Sequence, residues 1–204
     1  MLSDEIFEKV EKIYNNLSEE QKNWYEKTSF LCPDACGSCC INFEPDLLEC
    51  EAIFMAKWLI KNKAEIAQKI AENNFKPEYT QKTCIFYEEN SNFHCSIYGG
   101  RPFICRLFGA SATKDKSGKP VWRPCKFYPI SILQSHKPPL AHIQYTKSQT
   151  EKFLGKCPPL MSDIMEQAIM LNPENTKTYP LREILPNTIR KILFEERLKS
   201  SERE

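Results

Sequence analysis

Apolar residues recur at helical spacing near the N-terminus of the chain. They repeat every three or four residues along one face, which predicts an amphipathic helix; the face contains Ile6, Phe7, Val10, Ile13, Tyr14 and Leu17. Ser18 and Gln21 have the spacing of a capping box. We therefore predict that a second, short helix follows the first and runs to about Thr28.

Helical patterns return in the middle of the chain and towards its C-terminal end. Residues 46–61 are dense in apolar side chains, and Pro45 before them suits the first turn of a helix. This pattern predicts a largely buried helix, followed by a second helical stretch over residues 64–73. Two more helices are predicted at residues 158–171 and 187–199.

Other segments favour short strands. Aromatic and β-branched residues at 84–87 and 93–98 flank a polar turn rich in Asn and Ser, which is typical of a small hairpin. Another hairpin tip is predicted at residues 113–119. The segment 129–145 contains several prolines and predicts no single element. We therefore expect a mostly α protein with one or two small β-hairpins.

The length of 204 residues suits one domain with helical extensions. We divide the chain into an N-terminal helical segment (1–30), a cysteine-cluster domain (31–160) and a C-terminal helical segment (161–204), and we expect one compact unit. All ten cysteines lie in the middle part. A chain of this size buries a real core, so a metal need not supply all of the folding energy.

Composition and charge argue against several classes of protein. The hydrophobic fraction of 41% and the charged fraction of 27% are those of a soluble globular protein. The formal net charge of +1 gives no indication of a nucleic-acid partner or of a membrane surface. The N-terminus lacks the apolar region of a signal peptide, and no stretch approaches the ~18 apolar residues of a membrane span. We therefore expect a cytoplasmic protein.

Stable disulfides are rare in a reducing cytosol, so the ten cysteines need another explanation, and thiolate–metal bonds are the leading one. The densest group places four thiols within nine positions, at Cys32, Cys36, Cys39 and Cys40. This spacing in a loop allows several sulfurs to converge on one ion at about 2.3 Å. Gly37 permits a tight turn, and the amides beside it can donate hydrogen bonds to sulfur.

The adjacent pair Cys39 and Cys40 bears on the number of ions. Neighbouring side chains usually diverge, so this pair predicts two metal centres or one bridged, polynuclear centre. More thiols follow at Cys84, Cys95, Cys105, Cys125 and Cys157. Because a tetrahedral site takes four ligands, the supply exceeds one mononuclear site. The alternatives are an iron–sulfur cluster with a second metal, or spare redox cysteines.

Two arginines flank Cys105 in the sequence. If Pro102 is the first residue of a helix, the helix amides point near the sulfur of Cys105 and lower its pKa. Arg101 and Arg106 either donate hydrogen bonds to thiolates or pair with carboxylates at the surface. The residues alone leave both interpretations open.

Three blocks of the sequence carry a family resemblance. They are Cys32–Cys40, then Cys84-Ile-Phe-Tyr87, then Cys95-Ser-Ile-Tyr-Gly-Gly-Arg-Pro-Phe-Ile-Cys-Arg106. Their order and composition resemble the CxxCxxCC family of YkgJ-type cysteine-cluster proteins, which are described as zinc- or iron-chelating domains. The resemblance covers residues 32–157, and a later Cys-Pro of the family resembles Cys157-Pro158. The first gap between cysteines has three residues here, where the family name has two.

The resemblance implies a cofactor and a set of ligands. The metal is zinc or iron, with an iron–sulfur cluster as one form of the iron. The ligands are drawn from Cys32, Cys36, Cys39, Cys40, Cys84, Cys95, Cys105 and Cys157. Because these cysteines lie far apart along the chain, we expect the metal to staple the helix 46–61, the hairpin and the region of Cys157 together.

The remaining cysteines and the histidines are weaker candidates. Cys50 falls inside a buried helix, and we interpret it as a core residue. The role of Cys125 is left open. His94 neighbours a cysteine, but adjacent residues of a hairpin point to opposite faces, so we expect its side chain to face solvent. His136 and His142 are expected to be structural or exposed.

Three functions remain in competition. The first is a metal-binding protein without catalysis of its own, whose partner is a metal ion. The second is an enzyme, either an iron–sulfur oxidoreductase or a protein-modifying enzyme such as a lysine N-methylase, because the family includes a domain of flagellin lysine N-methylases. No GxGxxG loop after a strand is visible for S-adenosylmethionine. The third is a thiol redox switch, which usually needs fewer cysteines. A protein substrate or partner is not indicated by the residues.

Overall fold

The computed structural model describes residues 3–28, 36–41, 43–77 and 83–201 of the chain. The α-helices of these residues are α1 (Ser3–Thr28), α2 (Glu49–Asn62), α3 (Ala64–Ala71), α4 (Phe103–Leu107), α5 (Ile130–Ser135), α6 (Lys147–Leu154), α7 (Met161–Ile169) and α8 (Leu181–Ser201). The strands are β1 (Asp46–Leu48), β2 (Thr113–Lys114), β3 (Pro120–Trp122), β4 (Tyr145–Thr146) and β5 (Thr178–Pro180), and a 3-10 turn covers Tyr98–Gly100. The prediction of a mostly α protein is confirmed.

Helix α1 is one continuous helix, so the prediction of a break near Ser18 was wrong. The Ser18 hydroxyl does not cap a new helix but donates a hydrogen bond to the carbonyl of Tyr14, 2.8 Å away in the preceding turn. The side chain of Gln21 reaches across to the carbonyl of Arg106 at 2.8 Å. No glycine or proline interrupts residues 3–28. Trp24 is fully buried, so packing stabilises the helix beyond Ser18.

The predicted starts of two other helices were also wrong. The helix predicted to start at Pro45 starts at Glu49, because residues 46–48 form β1 and pair with β5 in an antiparallel ribbon. The last helix starts at Leu181 rather than at residue 187, and Pro186 lies inside it. The proline is tolerated there because the apolar face of α8 packs closely on α2 and α3, through Leu181, Leu185, Ile189 and Ile192.

The second sheet is three-stranded and antiparallel, in the order β2-β3-β4. Its first two strands form the hairpin predicted around residues 113–119. The Asp115 carboxylate accepts hydrogen bonds from the amides of Ser117 at 2.8 Å and Lys119 at 2.9 Å, which fixes the turn. This sheet packs with α6 and lies in the part of the chain that follows α4.

Three apolar clusters form the core of the described residues. The first lies between α2, α3 and α8. The second joins α1, α2, α4 and α7. The third surrounds Trp24 and Trp122, whose ring centroids are 6.1 Å apart. Cys84 and Cys95 pack against the first cluster, and Cys125 packs against the third. These three cysteines therefore lie at the edges of apolar clusters. Within the described residues, no helix has the length and apolar character needed to cross a bilayer.

Candidate metal centre

The turn at residues 36–41 presents three thiols. The amide of Cys40 donates a hydrogen bond to the carbonyl of Gly37 at 2.9 Å, which closes the turn. The sulfurs of Cys39 and Cys40 lie 3.9 Å apart. The expectation that these neighbouring side chains diverge was therefore wrong, because the turn brings both sulfurs to the same cavity. Cys32 lies outside the described residues.

Position 37 has no room for a side chain because other side chains lie close to it. A Cβ atom at this position would lie 2.7 Å from the Cβ of His94 and 2.9 Å from Cε2 of Tyr87. The backbone φ of Gly37 is not in the left-handed region, so the need is for space. The His94 ring stacks on Tyr87 at 5.7 Å between centroids. His94 is only partly exposed, so the prediction that its side chain faces solvent was wrong.

Replacing Gly37 by alanine is expected to push the Cys36–Cys40 turn away from His94. We expect a loss of about 1–3 kcal/mol in the free energy of unfolding from overpacking, together with weaker metal binding. Gly118→Ala is the matched control. Its Cβ would meet nothing within 4 Å, and only its φ of +78° is unfavourable for alanine. Urea unfolding and metal titration of both variants check the prediction; equal metal affinities would contradict it.

Residues 84–96 bring Cys84 and Cys95 to the cavity that Cys39 and Cys40 line. The amide of Cys84 donates to the carbonyl of Cys40 at 3.3 Å, and the amide of Ser96 donates to the carbonyl of Phe86 at 3.0 Å. Tyr87 and Cys95 form an antiparallel bridge. The predicted hairpin is thus present as a short bridge rather than a long ladder.

Glu44 holds this segment in position, and sequence reasoning did not identify it. Its carboxylate accepts a hydrogen bond from the amide of Ile85 at 3.1 Å and another from Nε of Arg182 at 2.7 Å. Arg182 also donates to the carbonyl of Thr83 at 3.1 Å. The start of α8 is thereby tied to the residues on either side of Cys84. A lone glutamate in a loop gives no sequence signal for this role.

Cys105 enters the site from α4. Pro102 is the N-cap of α4 rather than its first helical residue. The prediction of a lowered pKa was wrong: burial raises the pKa of the Cys105 thiol, and the neighbouring thiols raise it further.

The two arginines bind backbone carbonyls and tyrosine faces. Arg101 lies 3.4 Å from the centroid of the Tyr98 ring and donates to the Tyr98 carbonyl at 3.0 Å. Arg106 lies 3.9 Å from the Tyr14 ring and donates to the carbonyl of Arg101 at 2.8 Å. In the described part of the chain, neither pairs with a carboxylate. The charge of Arg101 still lowers the pKa of the nearby thiol of Cys39.

Glu51 is a buried residue that accepts a hydrogen bond from the first residue of α4. It is 3% exposed, and its two oxygens accept hydrogen bonds from the amides of Leu48 at 2.9 Å and Phe103 at 2.7 Å. The carboxylate therefore joins the start of α2 to the start of α4. Burial raises the pKa of Glu51 from 4.5 to about 7, although both amides act in the opposite direction.

The Glu51 carboxyl is expected to make the fold less stable as the pH rises. Its folded pKa lies above its unfolded value, so the folded state binds the extra proton between about pH 4.5 and 7. The free energy of unfolding should fall by about 2 kcal/mol between pH 5 and 7 from this group alone. Urea unfolding of the reduced, metal-free chain measures this slope. Glu51→Gln, which cannot ionise, should remove that component, and an unchanged slope would contradict the assignment.

Six cysteines line one cavity of about 290 Å³. They are Cys36, Cys39, Cys40, Cys84, Cys95 and Cys105. Aromatic side chains and Arg101 complete much of the wall, and its described lining contains no carboxylate or imidazole. As placed, no three Cys, His, Asp or Glu side chains of the described residues surround a single point closely enough to hold an ion. Rotation of a cysteine between staggered rotamers moves its sulfur by about 3 Å.

The thiols of the cavity influence one another's ionisation. A hydrogen bond from Cys40 lowers the pKa of Cys39 to about 6, and the same contact raises the pKa of Cys40. Burial raises the pKa of Cys84 to about 12 and also raises that of Cys95, to which the charge of Cys39 contributes. Burial and the charges of neighbouring thiolates therefore oppose ionisation of most of these thiols, and a bound cation would favour it. The donor set therefore fits a thiophilic metal.

The other candidate residues lie elsewhere. Cys50 is buried in α2 with its sulfur 3.7 Å from the Ala168 carbonyl, as expected of a core residue. Cys157 does not line the large cavity, and burial raises its pKa. Cys125 lines a smaller cavity beside the large one. His136 and His142 each contact a backbone carbonyl, at 2.9 Å in both cases.

Comparison with family models gives one match, over residues 31–158 and thus more than half of the chain. The matching model is CxxCxxCC, "putative zinc- or iron-chelating domain". The chain belongs to this family, and its membership supports metal binding by the clustered cysteines. No curated protein and no solved structure matches the chain.

Proposed function

We propose that this chain is a metal-binding protein whose clustered thiolates hold zinc or iron. The observation that carries the proposal is the convergence of six cysteines on one cavity whose described lining contains no carboxylate or imidazole. All-thiolate sites favour zinc and iron over hard cations such as Mg²⁺ or Ca²⁺. The proposed ligands are these six cysteines, with Cys32 and Cys157 as the remaining members of the set. Free thiols in this number favour a reducing compartment, for which we propose the cytosol.

The spacing of Cys39 and Cys40 supports a particular distribution of ligands. Two thiolates on one tetrahedral ion, each about 2.3 Å from the metal, lie about 3.8 Å apart, and these two sulfurs are 3.9 Å apart. Four cysteines on a four-iron cluster give one thiolate per iron, whereas a zinc ion or each iron of a two-iron cluster takes two or more. We therefore propose that Cys39 and Cys40 bind the same ion.

The size of the cavity supports more than one ion. Its volume of about 290 Å³ is many times the ~15 Å³ that a single water-sized sphere requires. Six thiols also exceed the four ligands of one tetrahedral ion. These two facts favour a polynuclear centre that ties the Cys36–Cys40 turn, the Cys84–Cys95 bridge and α4 together. Such a centre would stabilise the folded state by closing long loops.

The first test is anaerobic purification of the full chain, followed by elemental analysis and a visible absorption spectrum of the same sample. Colourless protein with zinc at one or more ions per chain supports a structural or storage role. Iron with acid-labile sulfide and a broad band near ~400 nm supports a cluster. Protein that contains neither metal, and binds neither on reconstitution under reducing conditions, would refute the proposal.

An enzyme is the second candidate, and the room in the cavity is the observation that favours it. The volume of about 290 Å³ approaches the ~300 Å³ at which small-molecule sites begin, and the aromatic wall and Arg101 suit an organic ligand. An iron–sulfur oxidoreductase or a lysine N-methylase would use this space for a substrate beside the metal. Calorimetry of the metal-loaded protein with S-adenosylmethionine tests the methylase version, and no heat of binding would exclude it.

A further inference from the structure

A second, smaller cavity shares part of its wall with the first. Cys36 and Cys39 line both cavities. Cys125 lines the smaller cavity but not the large one. The volume of the smaller cavity is about 30 Å³, which suffices for one ion or for one or two water molecules. Three thiols therefore border this space, although, as placed, no three such side chains of the described residues surround a single point closely enough to hold an ion.

The rest of the wall of this cavity is aromatic. Tyr25, Phe108, Phe127 and Tyr128 line it together with Gly109, and its described lining contains no carboxylate and no imidazole. The three thiols are thus the soft donors of this cavity. An apolar wall also strengthens the attraction between thiolates and a cation.

The backbone holds Cys125 against the end of α4. The amide of Tyr128 donates to the carbonyl of Cys125 at 2.9 Å, which closes a turn. Gly109 has a φ of +74°, and a Cβ there would lie 3.4 Å from the Cβ of Cys125. The left-handed glycine after α4 therefore allows the chain to approach Cys125 closely. Burial raises the pKa of Cys125, and the charges of Cys36 and Cys39 raise it further.

We infer that Cys36, Cys39 and Cys125 form a second thiolate site for one zinc-class cation, with Cys39 shared with the large cavity. The inference rests on the proposed function and extends it, because it adds a ligand that the family resemblance does not supply. Three protein ligands leave a fourth tetrahedral position for water or another donor. A thiolate has several lone pairs, so Cys39 can bridge this ion and an ion in the large cavity.

Zinc titration of the full chain tests the inference. Reduced, metal-free wild type, Cys125→Ser and Cys50→Ser proteins are saturated with zinc anaerobically, freed of unbound metal and assayed for zinc per chain. We expect Cys125→Ser to bind one zinc fewer than wild type. Cys50→Ser, whose replaced thiol lies in the core, should bind as many as wild type. Equal zinc contents in all three overturn the inference alone, whereas wild type that binds neither zinc nor iron refutes the proposed function.

Alkylation of the wild-type chain provides a measurement that does not depend on a variant folding. Iodoacetamide labelling and peptide mass spectrometry are carried out on metal-free and zinc-saturated protein. Zinc should protect Cys36 and Cys125 together by at least tenfold in labelling rate. An unchanged labelling rate at Cys125 overturns the inference. A Cys36–Cys125 disulfide in anaerobically isolated protein would also overturn it, because the pair would then be a redox couple.

Discussion

Replacing Cys84 or Cys105 by serine is expected to weaken metal binding by about 100- to 1000-fold. Structural zinc sites bind with about 10–16 kcal/mol for four ligands, so one thiolate accounts for about 3 kcal/mol. Both thiols line the large cavity, and the two come from different segments, the bridge region and α4. Competition with a chromogenic chelator under anaerobic conditions measures the affinity of each variant.

Cys50→Ser is the matched control for these substitutions. Cys50 is 4% exposed, and its sulfur faces the Ala168 carbonyl at 3.7 Å, so a serine hydroxyl can donate to the same oxygen. We expect metal affinity equal to wild type. Circular dichroism and urea unfolding of the metal-free variants separate lost ligation from lost folding. Wild-type affinity in both Cys84→Ser and Cys105→Ser would show that the metal is held elsewhere.

The core of the structure should persist in these variants without metal. The cluster between α2, α3 and α8 consists of apolar side chains, including Leu59, Leu185 and Ile189, each fully buried. Metal is therefore expected to order the cysteine turn and the bridge, while the helices pack without it. Because the helical core stays folded in each variant, a loss of metal affinity can be assigned to the missing thiol.

The helical part of the fold was largely predictable because its signal is local. The apolar spacing of α1 and α2 appears within single segments, and the same spacing buries their faces. Helix ends were less predictable. The start of α2 depends on the pairing of residues 46–48 with β5, at least 130 positions later, and no local pattern encodes that partner.

The composition of the site was predictable, but its geometry was not. Cysteine spacing indicated the ligands. The approach of Cys39 to Cys40, however, depends on a turn whose Gly37 packs against His94, a long-range contact. The arginines illustrate the same limit. Arg106 binds the Arg101 carbonyl and covers the Tyr14 ring, and a sequence does not show which carbonyls a fold leaves open.

Binding of one ion by four thiolates of the large cavity, Cys39 among them, should become about 1000-fold tighter for each unit of rising pH near neutrality. A metal binds thiolates, so every thiol that is protonated in the metal-free protein must release its proton on binding. Cys39, with a pKa of about 6, is already ionised at pH 7. Cys40, Cys84, Cys95 and Cys105 have raised pKa values and are protonated. Four-thiolate ligation that includes Cys39 therefore releases three protons, each worth a factor of ten per pH unit.

Two measurements check this prediction. Chelator competition between pH 6.5 and 7.5 gives the slope of log affinity against pH, and calorimetry in buffers of different ionisation enthalpy counts the protons released. In Cys84→Ser the count should fall from about three to about two, whereas Cys50→Ser should keep three. A slope near zero in wild type would mean that the ligands are ionised before the metal binds. That outcome would contradict the burial that raises the pKa of Cys84 to about 12 and would place the metal among more exposed thiols.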